Sequence, residues 1–277
     1  MMAHFFALSG KTLALLHAGR FGDLMTLLRD GREMAERNGI EPWMFIFREA
    51  WLRTAVLDFE GARRLCETVT RASTEYPTGQ PETIARLATG YAELEQKNYP
   101  AALAVFAQVL DPEITPKFFL HWYWRLNARL GLANAWLASG NIRNARAEAD
   151  RFREAALSTD EPNLHALAWE VGSRVAMAEK DWKGAEDRIE KGLAVVNRFE
   201  IPTAAWPVHS TRSDLYRRLK NAAAAERHRA RAEAIVDALA NSFAPDEPLR
   251  HAFLAAAPIR RLRSGSAARR PRGEHTH

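Results

Sequence analysis

The sequence predicts an all-α protein: an α-solenoid of about six helix-turn-helix repeats followed by a C-terminal capping helix. Three observations carry this. A turn pattern recurs six times as Gly19-Arg20-Phe21, Leu57-Asp58-Phe59, Lys97-Asn98-Tyr99, Gly140-Asn141-Ile142, Lys180-Asp181-Trp182 and Lys220-Asn221-Ala222. Each is followed three residues on by Leu24, Ala62, Ala102, Ala145, Ala185 or Ala225, and the anchors 21, 59, 99, 142, 182 and 222 are 38, 40, 43, 40 and 40 residues apart. A near-constant period of this length marks stacked helical units. Chain breakers fall between the pairs (Asn38-Gly39 with Pro42, Pro77 with Pro81, Pro112 with Pro116, Pro162, Pro202), and no stretch alternates with the period of a strand.

Helix pairs are expected at 3–18 with 22–37, 42–57 with 60–74, and 81–96 with 99–110, then at 116–139 with 142–157, 162–179 with 182–198, and 203–219 with 222–242. The repeats they define run near 3–38, 42–76, 81–111, 115–158, 161–199 and 202–243. The third shows the grammar best. Ile84, Leu87, Tyr91 and Leu94 keep helical spacing after Pro81-Glu82, and Asn98 turns the chain. Pro100 enters the next helix where its missing N–H costs nothing, and Asp111-Pro112 stops it. Small residues after each turn let two antiparallel helices approach. Because one unit leaves its outer face bare, stability requires stacking. Pro245-Asp246-Glu247-Pro248 opens a further short helix, with Leu249, Phe253 and Leu254 on its apolar face. We read 246–257 as the cap, 1–262 as one repeat domain, and 263–277 as a disordered basic tail.

This grammar resembles the tetratricopeptide repeat family, in the longer-period form of helical regions in bacterial signalling ATPases, modular kinases and transcriptional regulators. Gly90, Tyr99, Ala102 and Phe106 match its motif best, whereas Ile142 and Ala222 depart from the ring at the turn. The resemblance spans roughly residues 3–242. It implies a right-handed superhelix and a non-catalytic array that binds a protein or peptide as a scaffold or regulatory module. It also implies that the first helix of each pair lines a concave groove. Carried onto this chain, the inward positions are Leu13, Trp51, Tyr91, Asn134, Arg174 and Asp214, with Phe47, Asn127, Glu170, Arg217 and Arg218 beside them. A rival reading is effector sensing, in which a small molecule fills a pocket closed by the Trp122/Trp124 helix.

Bulk composition is that of a globular protein, 47% hydrophobic and 26% charged, with Cys66 the only cysteine and no intramolecular disulfide possible. Six arginines and one glutamate from Arg260 onward account for the whole net charge of +5, leaving residues 1–259 neutral. A nucleic-acid-binding solenoid would carry its excess on the body, so nucleic acid is not the expected partner. Lys11, His17, Arg20 and Asp23 interrupt the N-terminal apolar run, which excludes a signal peptide or membrane span there and makes the cytoplasm the expected location.

Ser9-Gly10-Lys11-Thr12 ends like a phosphate-binding loop, but the glycine it needs five positions before Gly10 is Phe5, and no strand precedes it. The nine histidines show no ligand spacing, no nucleophile–base pair stands out, and acidic pairs such as Glu93/Glu95 belong to solvated helix faces. An enzyme is not expected, nor any cofactor or metal. In His121-Trp122-Tyr123-Trp124-Arg125 consecutive rings point in different directions on a helix, so packing against units three and five is expected rather than a stacking platform. Phe5, Phe6, Leu8, Leu13, Leu15 and Leu16 give the first helix an apolar face without a polar cap, which is expected either to pack on an N-terminal domain or second chain or to be buried against its own pair and unit two.

Overall fold

The computed structural model describes residues 2–39, 42–72, 79–115 and 120–267; among them are fourteen α-helices and no strand. Six pairs follow one another: α1 (Met2–His17) with α2 (Phe21–Arg37), α3 (Trp43–Ala55) with α4 (Phe59–Ala72), and α5 (Gln80–Glu95) with α6 (Tyr99–Leu110). Next come α7 (His121–Ala138) with α8 (Ile142–Leu157), α9 (Pro162–Ala178) with α10 (Trp182–Arg198), and α11 (Pro202–Arg218) with α12 (Ala222–Asn241). Neighbours in sequence are neighbours in space throughout, so the chain is an all-α helical-repeat solenoid.

The repeated turn has one backbone solution. In every pair the residue two before the anchor is left-handed: Gly19, Leu57, Lys97, Gly140, Lys180 and Lys220 have φ between 60° and 80°. Its N–H bonds the carbonyl three back and the next N–H bonds the carbonyl five back, as in Lys180 to Met177 and Asp181 to Ala176. These are Schellman closures, which satisfy carbonyls that the helix end would leave orphaned. Asp58, Asn141, Asp181 and Asn221 then accept from the N–H three residues on, capping the second helix. The polar residue before each anchor therefore ends one helix and begins the next.

Packing explains the small residues. Ala62, Ala102, Ala145 and Ala185 are fully buried where paired helices approach. Phe106, also fully buried, lies between α5 and α7: a Cβ on Gly90 would stand 2.6 Å from its ring, and one on Gly131 2.5 Å. Two glycines thus form the slot that this ring fills. Burying such a side chain contributes about 2–3 kcal/mol, provided no side chain intrudes.

The array does not stay open. The start of α2 meets the end of α12: the Phe21 N–H donates to Ser242 Oγ at 3.2 Å, and a Cβ on Gly22 would strike the Ser242 carbonyl. Phe21 sits 5.3 Å from Phe243 and 6.3 Å, edge-on, from Phe253. His17, ending α1, faces Tyr123 Oη at 3.1 Å and Glu161 at 3.3 Å. One buried cluster consequently joins Leu15, Leu16, Phe21, Leu24 and Leu28 to Val236, Leu239, Phe243, Phe253, Ile259 and Leu262. The expected domain or second chain on the first helix rested on an apolar face of which this seam covers only a part. Leu15 and Leu16 are buried in this cluster within the chain itself, while the side chains of Phe5, Phe6 and Leu8 lie outside the described residues.

The C-terminus also departs from expectation. α13 (Pro248–Ala255) caps α12 as foreseen, but Ala256 is a one-residue extended break, and Pro258 opens α14 (Ala257–Ala267) rather than ending the chain's order. Proline is suited to a first helical turn, and Ile259 and Leu262 give α14 a buried edge. The segment read as disordered from 263 is therefore helical to 267; 268–277 lies outside the described residues. Likewise α7 begins at His121, after a left-handed Leu120, rather than at 116, and 116–119 is outside the described residues.

Candidate functional site

Closing the array turns its concave face into a wall around a central cavity of about 720 Å³. The first helices of the pairs build that wall. Leu16 comes from α1, Trp51 and Thr54 from α3, Tyr91 from α5, Tyr123 to Asn134 from α7, and Leu167, Glu170 and Arg174 from α9. α11 adds a longer stripe from Thr203 to Arg217, α12 adds Arg229, and α14 adds Pro258, Arg261 and Leu262. Spacings of three and four residues along each helix put these side chains on one face.

The wall has two chemistries. Towards α3, α5 and the start of α7 it is aromatic. The rings of Trp51 and Trp124 meet edge-on at 4.7 Å, Tyr123 and Trp124 at 4.9 Å, and Phe59 stacks on Tyr91 at 5.2 Å. Tyr91 Oη donates to the Asn127 carbonyl at 3.1 Å. Burial pushes the phenols of Tyr91 and Tyr123 well above their ordinary range, so both remain neutral donors. Trp51 and Trp124 are 2% and 4% exposed, and neither indole N–H finds an acceptor. Such orphaned donors are uncommon in a finished core.

Towards α9 and α11 the wall is charged. Glu170, almost fully buried, accepts from Thr211 Oγ1 at 2.5 Å. Arg174 Nε lies 2.7 Å from the same carboxylate, though off the line of a good hydrogen bond, and another guanidinium nitrogen reaches Asn134 Oδ1. Arg217 pairs with Asp214 at an exposed position. Arg229 is held between Glu226 and Glu233. Arg261, on α14, acts through space on the exposed Glu95 at the end of α5.

Eight inward positions expected from the sequence share this wall: Trp51, Tyr91, Asn127, Asn134, Glu170, Arg174, Asp214 and Arg217. Leu13, Phe47 and Arg218 do not. Leu13 and Phe47 pack into the core, Phe47 beside Trp51 at 6.1 Å, and Arg218 points to solvent at the end of α11. The aromatic run divides. Tyr123 and Trp124 are buried on the wall, Trp124 against Trp51 of the second unit, whereas Trp122 is partly exposed. Thr54, Leu130, Leu167 and Ser210 extend the predicted stripes by one helical turn and could have been found by period alone. The α14 residues had no such signal.

Chemical groups elsewhere are quiet. Burial pushes the Cys66 thiol far above its ordinary range, so it is unreactive. Among the described residues no group of three or more His, Cys, Asp or Glu could hold a metal ion, and no helix is long and apolar enough to cross a membrane. Compared with known proteins, the chain matches no family model and no curated relative.

Proposed function

We propose that this protein is a non-catalytic, effector-sensing regulatory array that binds a small molecule in its central cavity. The observation that carries this reading is the seam. An extended peptide needs a continuous open groove, and here α1 and α2 pack against the C-terminal flank, so that the concave face borders a half-open pocket of about 720 Å³ instead. That is within the usual range of small-molecule sites, roughly 300–1,000 Å³. Its apolar wall, with a few converging polar groups, is the lining such sites have. The tetratricopeptide-like grammar supports a regulatory role, because arrays of stacked units respond as a whole to what their concave face holds.

The wall also supplies a route for response. Leu16 of the first unit, Trp206 of α11 and Leu262 of α14 touch the same space, so an occupant bridges both sides of the seam. Native mass spectrometry of the protein purified from its own cells is the direct test. A small molecule retained by the full chain, and lost when Leu167→Trp fills the cavity, is the expected result. Retention of a protein partner by both forms, with no small molecule, would return the scaffold reading to first place.

A further inference from the structure

The cavity's unused hydrogen-bonding groups identify the class of molecule it takes. The geometry points to an amphipathic anion: a flat apolar body held by the aromatic wall and an acidic head group, carboxylate, sulfonate or phosphate, directed to the arginines of α11 and α14. This inference rests on the cavity-binding reading above and narrows it.

Donors and acceptors on the wall are unequally used. The wall's acceptors are already engaged: Glu170 by Thr211 and Arg174, Asn134 Oδ1 by Arg174, and Asp214 by Arg217. Its donors are not. The indole N–H groups of Trp51 and Trp124 have no acceptor despite near-complete burial. Each guanidinium carries five N–H groups. Arg217 uses one partner in an exposed pair that solvent weakens, and Arg261 makes no ion-pair contact among the described residues. A complementary ligand therefore supplies acceptors. Arg174 and Arg229 are matched by Glu170, Glu226 and Glu233, which leaves the weakly paired Arg217 and Arg261 as the groups that favour a negative charge on it. Because guanidinium forks match planar or tetrahedral oxyanions, the head group is expected to bind there. The tryptophans suit a ring or a stiff chain bearing an ether, carbonyl or amine lone pair.

A matched pair of probes tests this: 1-anilinonaphthalene-8-sulfonate and N-phenyl-1-naphthylamine, which differ only by the sulfonate. Both are titrated into the full-length protein and followed by energy transfer from tryptophan. The sulfonate is expected to bind about tenfold tighter at low salt, a gap of about 1.4 kcal/mol. The pair Arg217→Gln and Arg261→Gln should erase that gap without changing the neutral probe. Trp124→Phe, which keeps a ring and removes the N–H, should weaken both.

Equal binding of the two probes, or no effect of the arginine substitutions, would overturn the anionic class while leaving the cavity reading intact. The cavity reading itself is tested by Leu167→Trp and, should that variant melt early, by Ser210→Phe. If neither filling substitution reduces binding of either probe, the dyes sit elsewhere and both inferences fall. Failure of both probes to bind the unaltered protein would have the same consequence.

Discussion

The middle of the array and its seam use the same helices to opposite ends. From α5 to α10 most contacts join helices one or two steps apart in sequence, and the Phe106 slot is completed by residues no more than 25 positions away, at Gly131. At the seam, Phe21 and Ser242 are 221 residues apart, and a glycine pressed against a carbonyl sets how closely the two flanks approach around their shared cluster. The middle is local; the seam is long-range. Local stacking makes the array, and one distant junction brings its two flanks to the same pocket.

Four measurements would break or sharpen that contrast. Phe106→Ala leaves a cavity flanked by two glycines that cannot fill it, so it should lower global stability by about 3–5 kcal/mol in urea unfolding. Gly22→Val should cost less, about 1–3 kcal/mol, because the clash is relieved by opening the seam rather than by unfolding. Hydrogen exchange should then rise in α1, α2, α13 and α14 and stay at its original rate in α5 to α10. Uniform acceleration along the chain would show that middle and seam form one cooperative unit.

The third concerns pH. His209 Nδ1 faces His228 Nδ1 at 3.0 Å across α11 and α12, and burial, followed by the charges of His228, Arg231 and Arg212, lowers His209 to about 4 from 6.5. Its folded-state value is depressed, so the neutral ring contributes stability above pH 6.5, lost as pH falls towards 4. Allowing for partial solvent screening, that loss is about 1–2 kcal/mol and should disappear in His209→Gln. The smallest effect is at a turn: Lys180 is held left-handed with φ 63°, and Lys180→Gly should stabilise by about 1 kcal/mol in thermal or urea unfolding.

Most of the architecture was legible because it is local. The Asp, Asn or Arg before each anchor, the alanines three positions after it and the prolines between pairs act within a few residues, and the helix pairs lie within a few residues of where periodicity puts them. The seam was illegible for the same reason. The apolar face of α1 says only that something covers Leu15 and Leu16; which element does so is decided by the summed rotation of six units. Pro258 misled because proline both stops helices and starts them, and only the burial of Ile259 and Leu262 shows which happened here. Inward positions on α3, α5, α7, α9 and α11 followed from helical phase. Those on α14 required knowing that it lies across the cavity.

Closure also bears on the order in which the molecule assembles. Joining positions 221 residues apart in a flexible chain costs about 5 kcal/mol of entropy. Stacked repeats remove most of that freedom beforehand, so neighbours zip together first and the two flanks meet last. The cavity, whose wall draws on both flanks, exists only after that final step. A ligand of the proposed class would recognise a finished molecule and favour its closed form, so that its binding would report the completion of folding.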